Sequence, residues 1–385
     1  MAVFNKEKVR NIALIGHGGE GKTSLLEAIL FCTKGIDRLG KVDDGTTVGD
    51  FDAEEIKRKM SISLSLAYAY YNDYKINFID TPGFFDFEGE MVSALTVADG
   101  AIVVTQASGS LSVGAEKALD YCVEKKIPVM IFVGGLNKEN SNYFKTVEAI
   151  KAKYGTLVSA IEFPITDGIE MKGYVDVLGH KAYDVNGNEI AIPANLETEA
   201  ANDNAELTEI AASSSEALME KYFEDGTLKK DEIINGLKTM IAGAEFVPVV
   251  AGVATGKPVL CDLLNNIVNF MPYAGEHGGA AAKRGDEDVT LNYDENGATV
   301  CRIFKTIVDP FVGRLSLFKV YSGSVKTGDI LMNMRKEETE KISTIYQLKG
   351  KNQEQVTCLN AGDIGAFAKL GVTKTLRAKR VAGFG

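Results

Sequence analysis

The chain has no tryptophan, three histidines, five cysteines and eight prolines in 385 residues. Each scarcity excludes something. The histidines (His17, His180 and His277) are scattered, so no histidine-built metal centre is visible. The cysteines (Cys32, Cys122, Cys261, Cys301 and Cys358) are widely spaced and match neither a zinc pattern nor a disulfide framework. Reduced thiols in a cytosolic protein are the expectation. No apolar run approaches the roughly 18 residues that a membrane span needs. The N-terminus, MAVFNKEKVR, lacks the apolar core of a secretion signal, so a cytoplasmic location is expected. Positive charge is also in deficit, with 42 Lys and Arg against 53 Asp and Glu, a net charge of −11. That balance argues against binding nucleic acid through overall charge, though not against a local basic patch.

What remains is ordinary globular composition, 45% hydrophobic and 25% charged, in a chain long enough for two or three domains. One stretch stands out. An apolar run, Ile12 to Ile15, ends in Gly16-His17-Gly18-Gly19-Glu20-Gly21-Lys22-Thr23, and a helix-compatible run from Ser24 to Phe31 follows. Strand, glycine-rich loop and helix in that order spell G-x-x-x-x-G-K-[ST]. The glycines let backbone N–H groups approach phosphate oxygens, and the helix aims its positive end at the same anion. Lys22 is suited to neutralise the β- and γ-phosphates, and Thr23 to offer a hydroxyl to Mg²⁺. The pattern predicts a site for a nucleoside triphosphate with Mg²⁺.

Downstream, residues 34–59 read as a long polar loop ending in a short charged helix, the kind of loop that is usually functional. Strands are expected over Ile62–Tyr71 and Lys75–Ile79, the latter leading into Asp80-Thr81-Pro82-Gly83. A carboxylate at a strand end can hold Mg²⁺, usually through water, and the glycine N–H can meet a γ-phosphate. Strand Ala101–Thr105, helix Val113–Lys125 and strand Pro128–Val133 follow. Alternation of this kind predicts βαβ units and a mostly parallel sheet, with ligands at the carboxyl ends of its strands.

Together GHGGEGKTS, DTPGFFDFEGEM, VADGAIVVTQASGSLSVGAEKALDYC and IPVMIFV resemble the G domain of elongation factor G and the tetracycline-resistance ribosomal protection proteins. LMEKYFEDGTLKKDEI (218–233) resembles a helix of the insert in that G domain, and Thr198–Ser215 is a further helical candidate there. FVPVVAGVATGKPVLCDLLNNIVNFMP resembles its closing strand, fifth nucleotide loop and last helix. CRIFKTIVDPFVGRLSLFKVYSGSVKTGDIL resembles the β-barrel second domain of translation GTPases. The fold class so implied is α/β, a P-loop G domain with an α+β insert, then an all-β barrel. The expected boundaries are a G domain over 1–275 with its insert at about 158–245, a Gly- and Ala-rich linker over 276–288, and a barrel over 289–385. The family's C-terminal domains are expected to be absent. Residues 370–375 still resemble the end of the barrel, whereas the tail beyond does not. Its Arg377, Lys379 and Arg380 are read either as an RNA contact or as a solvated end.

The resemblance implies a Mg²⁺-dependent GTPase switch that binds GTP and GDP and acts on the ribosome as a monomer, with neither membrane nor sequence-specific DNA as a partner. It assigns Gly16 to Ser24 to the phosphates, Thr23, Ser61 and Asp80 to Mg²⁺, and Lys22 and Gly83 to the transferred phosphoryl. Asn137 and Lys138 fall at the base, with Val253 and Ala254 in the fifth loop. Several positions depart from the family pattern. Where it reads N-K-x-D, this chain has Gly134-Gly135-Leu136-Asn137, so the Asn and Lys that order the loop are glycines and the base-reading Asp is an amide. An amide offers one acceptor group beside two donors, which suits guanine poorly and xanthine better. A second candidate, Asn137-Lys138-Glu139-Asn140, lacks the terminal Asp. Phe84 stands where the family has the His that positions the attacking water, so slow hydrolysis is expected. The first switch reads Lys57-Arg58-Lys59-Met60-Ser61 in place of E-R-G-I-T, and Gly19 replaces the family's phosphate-loop Asp. The alternative reading is a non-hydrolysing pseudo-GTPase, a ribosome-binding module with altered base specificity.

Overall fold

The computed structural model describes residues 3–254, 257–276, 278–284, 287–309 and 312–373. His277 and the tail with Arg377, Lys379 and Arg380 lie outside the described residues. The first strand, β1 (Val9–Ile15), is buried at every position, its apolar run Ile12–Ile15 and its polar Arg10 and Asn11 alike. It is followed by α1 (Lys22–Cys32), the short α2 (Ala53–Arg58), β2 (Ser65–Tyr71), β3 (Tyr74–Asp80) and α3 (Glu88–Leu95). Next come β4 (Gly100–Gln106), α4 (Val113–Glu124), β5 (Val129–Gly134), α5 (Tyr143–Tyr154) and β6 (Val158–Ala160).

The insert contributes β7 (Glu162–Asp167), β8 (Glu170–Asp176), β9 (Lys181–Asp184) and β10 (Glu189–Ile190), an antiparallel sheet. Three helices follow it, α6 (Ala194–Ala212), α7 (Glu216–Asp225) and α8 (Lys230–Ala242). The single helix expected across residues 218–233 is two. Gly226, in the left-handed region at φ 72°, accepts the end of α7, and α8 starts after Lys229. The main sheet closes with β11 (Val247–Ala251), and α9 (Lys257–Phe270) ends this half. Its strand order is β2-β3-β1-β4-β5-β11-β6, with β2 antiparallel to β3 and the other pairs parallel. β1 lies inside the sheet between β3 and β4, so the loop leaving its carboxyl end opens where the order reverses.

The stretch expected as a linker carries a hairpin instead, β12 (Ala280–Arg284) against β13 (Glu287–Leu291). Its small residues do not loosen it, because Ala282 and Leu291 are buried in a second core with Tyr293 and Val300. The all-β half continues with β14 (Val300–Asp309), β15 (Gly313–Ser322), β16 (Ser324–Lys326), β17 (Ile330–Asn333) and β18 (Glu338–Lys341). It ends in β19 (Ile345–Lys349), β20 (Asn352–Val356), β21 (Cys358–Asn360) and β22 (Ile364–Ala368). All the strand pairs here are antiparallel, with Phe318 stacked on Phe367 at the centre.

The two halves meet through buried polar groups. Lys75 on β3 donates to both carboxylate oxygens of Asp363 at 2.7 Å, and Asn77 donates to Asp363 Oδ1 at 2.9 Å. Lys319 pairs with Asp99 and also donates to Val97 O. Two cysteines far apart in sequence also meet, with Cys32 Sγ 3.5 Å from Cys261 Sγ. Among the described residues, no helix is long and apolar enough to cross a membrane.

Candidate nucleotide site

The loop from Gly16 to Thr23 joins β1 to α1 as the sequence predicts. Gly16 sits at φ +133°, and a Cβ there would overlap the carbonyl oxygen of Val104 on β4, so the position admits only glycine. Gly21 caps α1 in the left-handed region at φ 97°. Lys22 is buried, and its Nζ donates to the carbonyls of Gly16 (3.1 Å) and His17 (2.7 Å) inside its own loop. Burial lowers its pKa, against the opposing pull of Asp80, Glu20 and Asp50. Ser24 is exposed on the first turn of α1.

Three residues expected to serve Mg²⁺ converge from separate elements. Thr23 Oγ1 on α1 donates to Asp80 Oδ2 at 2.8 Å and lies 3.2 Å from Ser61 Oγ. Asp80 ends β3 and is fully buried, and that burial, aided by nearby Asp50, pushes its carboxyl up to about 7. Asp50 is also held above the ordinary carboxylate range by burial. Asp80 Oδ1 and Asp50 Oδ2 are buried with no hydrogen-bond partner among the described residues. Two orphaned carboxylate oxygens beside two hydroxyls form the hard, oxygen-only donor set that suits Mg²⁺.

Sequence reasoning missed the carboxylates that shape the polar loop before Ser61. Glu27, buried on α1, accepts from Gly40 N (2.9 Å) and Val48 N (2.8 Å). Glu55 on α2 accepts from Ile62 N (3.0 Å) and Ser63 N (3.1 Å), which fixes the chain just after Ser61. Glu90 on α3 accepts from Leu64 N at 2.7 Å and pairs with Lys305 of the all-β half. No local sequence pattern marks these groups, because each acts across a distance along the chain.

The Asp80-Thr81-Pro82-Gly83 turn lies directly on the phosphate loop. Thr81 Oγ1 donates to Leu14 O at 2.7 Å, and a Cβ on Gly83 would overlap Lys22 Nζ and the backbone at His17 and Gly18. Phe84 follows, with its ring so close over Gly18 that a Cβ there would lie 2.6 Å from it. The phenyl ring also faces His17, with ring centroids 6.2 Å apart.

On the far side, Gly134 ends β5, Leu136 is buried, and Asn137 and Lys138 are exposed at the tip of the next loop. Val253 is buried and Ala254 half-buried, after Gly252 N donates to Val133 O at 3.1 Å. The fold thus gathers the phosphate loop, Ser61, Asp80 and Gly83, and places Asn137 and Lys138 on the neighbouring rim.

Residues 7–273 match the family described as the elongation factor Tu GTP binding domain, and residues 299–376 match elongation factor G domain 2. The chain is 32% identical over 378 residues to elongation factor G of Petrotoga mobilis (strain DSM 10674 / SJ95). That alignment covers 96% of this chain and 54% of the relative. A crystal structure from Thermus thermophilus superposes with a TM-score of 0.84 at 26% identity, covering 94% of this chain and 52% of the other. The chain therefore spans about half the length of the relatives it matches.

Proposed function

Because this chain belongs to the elongation factor G superfamily of translation GTPases, we propose that it is a cytoplasmic Mg²⁺-dependent GTP/GDP switch with slow hydrolysis, acting as a monomer on the ribosome. The observation that carries the reading is the convergence of Thr23, Ser61 and Asp80 beside a buried Lys22. Backbone N–H groups of residues 16–24 hold the α- and β-phosphates, and Lys22 turns from its own carbonyls to the β- and γ-phosphates. Thr23, Ser61 and Asp80 would hold Mg²⁺, directly or through water. The ion, when bound, neutralises charge on the β- and γ-oxygens. Gly83 presents its N–H to the γ-phosphate and, with Lys22, stabilises the charge that develops on transfer. Asn137 and Lys138 meet the base, and Val253 and Ala254 close the base pocket from the fifth loop.

Residues 40–61 and 80–90 are the segments that respond to the γ-phosphate. The second meets the all-β half through Glu90, which pairs with Lys305 and also holds Leu64, just beyond the first. Triphosphate then orders a surface for the ribosome and diphosphate releases it. Titration calorimetry with GTP, XTP and ATP in Mg²⁺ tests the reading. Micromolar GTP binding with slow phosphate release supports it. Nucleotide-stabilised protein with no phosphate release, even with ribosomes, would replace it with the pseudo-GTPase reading. The apolar Phe84 ring over Gly18 is the feature that favours that second reading.

A further inference from the structure

The residues that ordinarily order the base loop are glycines in this chain, yet the loop is tied to the phosphate loop by another route. Gln106 is the last residue of β4 and pairs in register with Gly134 of β5. Its Nε2 donates to Gly19 O at 2.9 Å, and its Oε1 accepts from Lys138 Nζ at 2.7 Å. One side chain therefore touches both loops. Gly135 sits in the left-handed region at φ +69°, which favours glycine, and packs against the Gln106 side chain. The turn itself is closed by Lys138 N donating to Gly135 O at 3.1 Å, and Ala107 N donates to Gly134 O at 2.9 Å.

A primary amide suits this position. It donates to a carbonyl and accepts from an ammonium at the same time, whereas a carboxylate lacks the donor and an aliphatic chain lacks both. We propose that Gln106 is the positioning residue for the nucleobase, holding the 134–138 loop against the phosphate loop and so setting where Asn137 and Lys138 meet the base. The inference rests on the nucleotide-binding reading above. It also gives the Gly134-Gly135 pair a physical sense, because the anchoring groups have moved to the neighbouring strand and to Lys138.

The test compares GDP, XDP and inorganic tripolyphosphate binding to the full chain in Mg²⁺, for wild type, Gln106→Leu, Gln106→Glu and Lys138→Met. Tripolyphosphate reports the phosphate half alone. Gln106→Leu is expected to weaken the preferred nucleotide by about 10- to 100-fold, mostly through faster release, and to bring the two base affinities together. Tripolyphosphate affinity should change by less than about threefold, and Gln106→Glu should behave like the leucine variant. Gln106→Glu keeps the size and polarity of the side chain, so it carries the same expectation if Gln106→Leu does not fold. Lys138→Met, which also alters a side chain placed at the base, is read only beside it. An equal loss for nucleotide and tripolyphosphate, or base preference unchanged in the folded Gln106 variants, overturns the inference and leaves nucleotide binding standing. Wild-type protein that binds tripolyphosphate but no nucleotide overturns the inference and the base-site assignment. Wild type that binds neither overturns the proposed function as well.

Discussion

Phe84 sets an apolar ring beside His17 and over Gly18, where the proposed switch would orient its attacking water. A phenyl group neither accepts a proton nor holds a water by hydrogen bonding. Phe84→His is therefore expected to speed GTP hydrolysis by at least about tenfold, the low side of what a positioned acid–base group contributes. Single-turnover phosphate release with and without ribosomes checks this, and an unchanged rate would place water orientation elsewhere. A second residue, Glu162, makes stability depend on pH. It is buried on β7 against Asp262 of α9, with Asp176 and Tyr174 of β8 close by and Lys230 paired to Asp176. Burial, then the proximity of Asp262, holds the Glu162 carboxyl well above the ordinary range, and burial raises Asp262 too. Folding thus binds protons here. The stabilisation is fully present below the ordinary carboxylate range of about 4 and is lost as pH rises through the raised native values. Glu162→Gln removes that demand while keeping the shape. Urea midpoints between about pH 5 and 8 should then fall less steeply than in wild type, with the variant the more stable at the alkaline end. Parallel slopes would remove Glu162 from the account.

At the level of elements, the short helix α2 is held by its ends more than by its length. Asp52 Oδ1 accepts from Glu54 N at 2.8 Å, and Glu55 Oε2 accepts in return from Asp52 N at 3.2 Å. Asp52→Ala removes one side of that box, at a cost of about 1 kcal/mol. A helix of six residues has little else to hold it. Faster proteolytic cutting within residues 40–61, with global melting unchanged, is the expected result. Equal cutting would show that Glu27 and Glu55 hold the segment alone. The same contacts explain what the sequence could and could not disclose. The strand, glycine loop and helix around residues 16–23, and the turn after β3 at 80–83, were legible because their residue types recur at short, contiguous spacings. The alternating strands and helices of the main sheet were legible from their apolar runs. Glu27, Asp50, Glu55 and Gln106 were not, because each acts on a partner brought close only by the fold. The hairpin at 280–291 was misread for a related reason. Alanine and glycine look like linker composition until a second core, with Tyr293 and Val300, forms beside them.

Across the whole molecule, the contact between the two halves depends on charges that water does not reach. Lys75 is fully buried, Asp363 is 3% exposed, and Lys319 is 1% exposed beside Asp99. Burial lowers the Lys75 pKa, and the proximity of Asp363 opposes that fall. Such a pair contributes less through its own attraction than through what its loss leaves behind. Asp363→Leu would strand an ammonium and take one of two acceptors from the Asn77 amide, and Lys75→Met would leave a carboxylate without its counter-charge. Each single change should cost about 3–5 kcal/mol, whereas the double variant should cost clearly less than their sum. Because the pair joins β3 to the segment before β22, its loss should also uncouple the halves. Guanidinium unfolding, followed by one probe in each half, should show coincident transitions in wild type and separated ones in Asp363→Leu. Coincident curves with an unchanged midpoint would mean that the Lys319–Asp99 pair, with Asn11 donating to Gly362 O at 2.6 Å, holds the interface without Lys75. Separation would identify β3 as a strand that ends in the Asp80–Gly83 turn and is fastened along its length to the all-β half. A shift at Asp80–Gly83 then has a stiff path to the other half, running through the strand that carries Lys75 and Asn77.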